Sequence, residues 1–191
     1  MIVTLIEKMA GASIALRRTS MQIIEKDIII QAPLEKVLEI MTDIERYPQI
    51  VPNIEKVNVL SFTPEDNKLH AEIHSYAAVL RKNIISVHEI VYDLENLSLK
   101  FQQTNGMIDD FRGHRQLVIE DDGVRFYSRV EFNLGNGFLA KMAGGMLKGV
   151  VEQNIEQLLG SVKTAAEQCE LKVMTIDELR ENLYQKLVFA A

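Results

Sequence analysis

The segment Ala32 to Pro52, APLEKVLEIMTDIERYPQIVP, constrains the fold more than any other part of the chain. A run rich in isoleucine, Ile23 to Gln31, leads into it and reads as a strand. Pro33 suits the first turn of a helix, where its missing N–H would have no partner anyway. Leu34, Val37, Leu38 and Met41 then follow at helical spacing. Thr42 is placed to N-cap a second short helix, Asp43 to Tyr47, with Glu45 completing a capping-box pattern. Tyr47-Pro48 and Pro52 are expected to end that helix. Strand-like stretches follow, and one long helical stretch closes the pattern. A strand, two short helices, a run of strands and a long helix imply an α+β fold. In it a curved sheet holds a helix, with a cavity between them.

Ile54 to Phe62 reads as a strand, and Pro64-Glu65-Asp66-Asn67 as a turn. Leu69, Ala71, Ile73, Ser75, Ala77 and Val79 alternate with His70, Glu72, His74 and Tyr76, so that strand has one apolar face. Ile84 to Leu94, Leu97 to Gln103, Phe111 to Glu120 and Val124 to Leu134 continue the series. Asn105-Gly106 and Asp121-Asp122-Gly123 mark the turns. On the last strand Val124, Phe126, Ser128, Val130 and Phe132 share a face. Connections of hairpin length imply a mainly antiparallel sheet. Gly135-Asn136-Gly137 breaks the chain, and Phe138 to about Lys172 reads as one helix. Its apolar stripe is Leu139, Met142, Met146, Val150, Leu158, Val162, Ala166 and Cys169. Thr175 and Glu178 suit a capping box for a final short helix, Ile176 to Leu187.

With 191 residues the chain has room for one domain, residues 21–172, flanked by an N-terminal extension (1–20) and a C-terminal tail (173–191). The extension MIVTLIEKMAGASIALRR has the wrong charge order for a secretory signal. It reads as a short docking helix, as a membrane-surface helix, or as sequence ahead of a true start at Met21. No run reaches the roughly 18 apolar residues of a membrane span. The lone Cys169 excludes an internal disulfide and fits a reducing, cytoplasmic setting. A net charge of −6 counts against a nucleic-acid partner. The extension and the tail offer surfaces for a homodimer.

Two stretches carry a family resemblance. Asp43 to Pro52, D-I-E-R-Y-P-x-x-V-P, is similar to a D-x-x-x-Y-P-x-x-x-P pattern of the START-like (SRPBCC) superfamily. Within it the chain resembles the polyketide cyclase/dehydrase and coenzyme Q-binding branch, which also includes ribosome-association toxins. The second stretch, Asn105-Gly106 to Gly113, matches a turn, a Phe and a G-x-W in the quinone-binding members. This chain carries Gly113-His114-Arg115 there and has no tryptophan. The resemblance covers about Met21 to Leu171. It implies a helix-grip fold whose cavity binds lipids, sterols, isoprenoid quinones or polyketide chains, with catalysis in only some members.

Arg115 is the sharpest anomaly, because strand phase puts it with Gly113 and Leu117 on the cavity side. A buried guanidinium is costly unless paired. It either grips a ligand carbonyl or carboxylate, pairs with Asp109, Asp110 or another internal carboxylate, or reaches water at the rim. Tyr47 and Pro48 are expected at the mouth or its lid, or else as a turn that orients the chain. Ile73, Phe101 and Phe126 are expected as apolar wall. Ser75, Gln103 and Ser128 break apolar faces and bond either a ligand head group or neighbours and buried water. Met142, Met146 and Val150, interleaved with Gly144, Gly145 and Gly149, start the long helix. They mark either room for an irregular apolar ligand or close packing on the strands.

His70 and His74 lie about 13 Å apart along a strand, too far to share an ion. No metal, cofactor or catalytic set is expected. The function expected is a carrier for a hydrophobic small molecule, an isoprenoid quinone or other lipid, with transient membrane contact. A polyketide cyclase/aromatase and a ribosome-associating module are the alternatives.

Overall fold

The first strand, β1 (Met21–Ile30), runs beside the last, β7 (Gly123–Asn133), in a register from Met21 opposite Asn133 to Ile30 opposite Val124. Between them lie β2 (Ile54–Thr63), β3 (Lys68–Ala77), β4 (Lys82–Asp93), β5 (Ser98–Asn105) and β6 (Asp109–Glu120). All pair antiparallel in the order β1-β7-β6-β5-β4-β3-β2. The computed structural model describes residues 21–78, 80–133 and 138–168, with Thr175, Asp177, Glu178, Glu181 and Gln185 beyond them. The expected N-terminal extension, Cys169 and most of the tail lie outside the described residues.

The long helix α3 (Phe138–Gln168) lies in the concave side of this sheet and packs on β1 and on α1 (Leu34–Thr42). This is a helix-grip fold. The inward face of β7 is Val124, Phe126, Ser128, Val130 and Phe132, all buried, because a strand alternates its side chains between faces. Val151, Ile155, Leu158, Leu159, Val162 and Ala166 of α3 belong to the same buried core. Ionic contacts hold α3 to the first strand. Lys26 Nζ lies 2.6 Å and 2.7 Å from Glu152 and Glu156. Lys163 donates to the Ile29 carbonyl at 2.6 Å, and the Gln31 N–H donates to Glu167 at 2.8 Å.

Register shifts bend the sheet into its curve. They fall between Ile54/Lys56 and Val59/Ser61 on β2, at Thr104 of β5 opposite Val87/His88, and between Asp109/Arg112 on β6. An extra residue on one strand kinks it and increases the local twist.

Three local expectations are corrected. Thr42 does not cap a following helix. It ends α1 instead, its Oγ1 donating back to the Leu38 carbonyl four residues earlier at 2.9 Å, as a threonine inside a helix does. The second helix is two pieces, a 3-10 turn (Ile44–Arg46) and α2 (Tyr47–Ile50). Pro48 therefore opens α2 rather than ending a helix, since the first turn requires no N–H from it. Farther along, Thr175 and Glu178 form the reciprocal pair of a capping box. The Thr175 N–H donates to Glu178 at 2.8 Å and the Glu178 N–H to Thr175 Oγ1 at 3.2 Å. Among the described residues no helix is long and apolar enough to cross a membrane.

Candidate ligand-binding cavity

Between the sheet, α2 and α3 lies a cavity of about 210 Å³. One wall is the segment from Ile44 through Tyr47 and Val51 to Ile54. The sheet supplies inward residues of β3 to β7, and α3 contributes Leu147, Val150, Val151, Asn154, Ile155 and Leu158. The mouth lies where the β3–β4 connection, with Tyr76, Ala77 and Leu80, faces Met107 and Ile108 of the β5–β6 turn. Tyr76 and Met107 are exposed there. The deep end is the row of Leu99 and Arg115, which are register partners across β5 and β6.

Arg115 is set by Gly113, two residues before it on the same face. A side chain at Gly113 would put its Cβ 2.2 Å from Phe101 Cζ and 2.6 Å from the Arg129 carbonyl, so only glycine leaves room for the Phe101 ring there. The Arg115 guanidinium then sits 4.9 Å from the centre of that ring, a favourable cation–π distance. Its Nε is buried and has no hydrogen-bond partner. Of the two pairings expected for Arg115 within the protein, Asp110 is exposed, and the side chain of Asp109 lies outside the described residues. None of the ion pairs among the described residues includes Arg115.

His88 is the second polar element. It is buried between Phe101 and Phe111, with ring centres at 6.4 Å and 6.2 Å. Its Nε2 is 2.9 Å from Ser86 Oγ. Burial, and then the nearby Arg115 charge, push its pKa down to about 4, so the ring is neutral at pH 7. Burial raises the Tyr47 hydroxyl, against a lowering by Arg115.

The cavity walls include Tyr47, Ile73, Ser75, Phe101, Gln103, Arg115 and Val150. Tyr47 is not part of a mouth or lid. It is 3% exposed and donates to the Met41 carbonyl at 2.8 Å, which anchors it in the interior. Pro48 is half-buried and off the wall, because one step along a helix turns about 100° away from the direction of Tyr47. Phe126 pairs with Leu117, one inward row beyond Arg115, and is packed solid past the cavity's end. Ser128 is 1% exposed with its Oγ unpartnered, and its short side chain does not reach the open volume. Met146 is 56% exposed. Residues four apart on a helix are about 40° apart around it, so Val150 lines the cavity while Met146 turns off it and Leu147 takes the wall position. The side chain of Met142 lies outside the described residues. Gln103 turns back to its own hairpin, its amide donating to the Ile108 carbonyl at 2.5 Å.

Ser86, His88, Asn53 and Asn154 were not legible as wall residues. On β4 both faces are apolar, with Ile85 and Val91 outward and Ile84 and Ile90 inward, so alternation gives no direction. Asn53 Nδ2 donates to Asn154 at 3.0 Å, tying the chain ahead of β2 to α3. That contact has no signal in local sequence.

His70 and His74 face outward and pair with Glu89 at 3.5 Å and Glu72 at 2.7 Å. Among the described residues no cluster of three or more His, Cys, Asp or Glu is arranged to hold a metal ion. A shallower depression of about 410 Å³ lies on the outer sheet face over Gly113. Two of its cations are already paired, Arg112 with Glu131 at 3.0 Å and Arg129 with Glu131 at 2.8 Å. The inner cavity, whose Arg115 makes no ion pair among the described residues, is the better candidate.

Residues 30–159 match the family model described as polyketide cyclase / dehydrase and lipid transport. Among curated proteins none matches the sequence. The fold is similar to that of the Zhui aromatase/cyclase from Streptomyces sp. R1128, at 21% identity and TM-score 0.70, over 78% of this chain and 94% of that one. It is similar to TTHA0849 from Thermus thermophilus, at 19% identity and TM-score 0.69, over 76% and 97%. A START superfamily protein from Mycobacterium smegmatis aligns at 17% identity and TM-score 0.65, again over 76% and 97%.

Proposed function

We propose, on the premise that the chain belongs to the polyketide cyclase / dehydrase and lipid transport family, that it binds and carries a hydrophobic small molecule, an isoprenoid quinone or other lipid. The observation that carries this reading is the cavity itself. Its walls are mostly apolar, with a few placed polar groups and Arg115 at the deep end, the usual composition of a small-molecule site. Burial of the ligand's apolar surface supplies affinity at about 25 cal/mol per Å², and Arg115 orients its polar end. At about 210 Å³ the volume is below the roughly 300–1,000 Å³ of drug-sized pockets. A head group and a short stretch of chain fit, and a longer tail leaves through the mouth beside Tyr76 and Met107. Exchange against a membrane surface would occur at that end. A cytoplasmic setting belongs to the same reading, since a lone cysteine forms no internal disulfide.

Native mass spectrometry with organic extraction, on protein purified from its own host, tests this. A quinone or other lipid bound near one-to-one is the expected result. A protein that comes out empty and takes up no lipid on incubation sinks the carrier reading.

The Ser86–His88 pair supports a second reading, a cyclase or aromatase acting on a poly-β-keto chain. A neutral imidazole can accept a proton, and a guanidinium can hold an enolate oxygen. The similarity in fold to an aromatase/cyclase points the same way. Turnover of a poly-β-keto substrate that is lost in His88→Phe is the expected result under this reading. Absence of turnover by the wild-type protein removes it.

A further inference from the structure

The cavity has one ionised wall residue. Among the described residues that line it, Arg115 alone carries a charge, the remainder being apolar, neutral polar or, in His88, a neutral imidazole. Asp43 acts on the hydroxyls of Tyr47 and Tyr92, and Glu45 on that of Tyr92, from the chain between α1 and α2, but neither lines the cavity. Arg115 is half-buried and hydrogen-bonded to the Tyr47 hydroxyl, and a guanidinium drawn partly out of water without a counter-charge is still costly. The Phe101 ring beneath it offsets part of that cost, yet Nε stays without a hydrogen-bond partner. The interior therefore holds a positive potential that its own wall does not neutralise.

Resting on the binding role proposed above, we infer that the ligand brings the missing charge. It is an amphiphile whose polar end is an anionic oxygen group, a carboxylate or an ionised phenol, seated at Arg115. Its compact apolar body lies against Phe101, Phe111 and the α3 residues Val151 and Ile155. A neutral isostere of the same shape gains the same burial but leaves the guanidinium without a counter-charge. The site thus selects by charge at its deep end and is tolerant toward its mouth. The planar fork of an arginine fits two carboxylate oxygens at once, which a point-charge ammonium does not.

The test is calorimetric titration at pH 7.5 with 1-naphthoate and its neutral isostere 1-naphthamide, on wild type, Arg115→Met and Arg115→Lys. The expected result is that wild type binds the acid at least about tenfold more tightly than the amide. Arg115→Met loses that preference while holding the amide within about twofold, which also shows that the variant's cavity is intact. Arg115→Lys keeps part of the preference. Equal affinities in wild type, or a preference for the amide, overturn charge selection and leave the carrier reading standing. A preference that survives in Arg115→Met overturns the assignment to Arg115. Binding of neither compound to cooperatively folding wild-type protein overturns the inference, while the lipid extraction and uptake experiment decides the carrier reading separately.

Discussion

Arg115 and Ser128 stand opposite each other in the β6–β7 register, and each keeps one buried polar atom, Nε and Oγ, without a hydrogen-bond partner. Buried polar groups are nearly always paired, and each orphan costs roughly 1–3 kcal/mol. Two orphans on one row mark the deep end of the cavity as a place where packing alone does not account for the residues.

Ser128→Ala removes one orphan without opening a large void. Thermodynamic stability by urea denaturation is expected to stay level or rise by up to about 1 kcal/mol. A loss of more than that would show that the hydroxyl is satisfied in solution by a buried water.

Gly113→Ala is expected to be costly. The new Cβ meets the Arg129 backbone carbonyl at 2.6 Å as well as the Phe101 ring at 2.2 Å. The ring can swing, but a backbone carbonyl in a ladder cannot, so overpacking of roughly 1–3 kcal/mol is expected in the same urea assay. A displaced Phe101 also removes the surface under Arg115, so ligand affinity should fall together with stability. An unchanged denaturation midpoint would contradict the close approach of β6 and β7 at this point.

His88 makes stability depend on pH in a defined window. Its folded pKa of about 4 lies below the unfolded value near 6.5, so between these values the unfolded chain binds the extra proton. Stability is therefore full above about pH 6.5 and falls as the pH drops toward 4, by roughly 3 kcal/mol in total. His88→Gln removes that titration. Denaturant midpoints measured from pH 4 to 8 should slope less steeply in the variant than in wild type. Parallel curves would mean that His88 is not buried neutral.

Gly149 and Gly160 lie on α3 with nothing within 4 Å of an added Cβ. Glycine in a helix costs about 1 kcal/mol relative to alanine. Gly149→Ala and Gly160→Ala are each expected to raise stability by roughly 0.5–1 kcal/mol, read as higher melting temperatures. A loss at Gly149 would indicate that this turn of α3 needs glycine for a close contact.

Tyr92 donates to the Thr42 carbonyl at 3.2 Å, as Tyr47 does to that of Met41. Both bonds serve carbonyls at the C-terminal end of α1. Tyr92→Phe leaves a buried carbonyl short of a donor and should cost roughly 1–3 kcal/mol. A neutral effect in urea denaturation would mean that another donor replaces it.

Local sequence determined the element order and much of the sheet's facing. On β7 charged residues at 125, 129 and 131 occupy one face, so Phe126, Val130 and Phe132 had only one direction to point. The same alternation put Arg115 inside with Gly113 and Leu117, because a strand's period of two is a property of the chain alone. Three-dimensional packing decided the rest. Both faces of β4 are apolar, so Ser86 and His88 became cavity residues only once Phe101 and Phe111 closed over them. Met146 and Gly149 share the start of α3 with Leu147 and Val150, and the rotation of that helix against the sheet chose which pair met the cavity. The position of a cavity is the volume that distant strands and a helix fail to fill. Bulges opposite Val87/His88 and at Asp109/Arg112, together with contacts such as Asn53 to Asn154, set that volume, and these are relationships between residues far apart in the sequence.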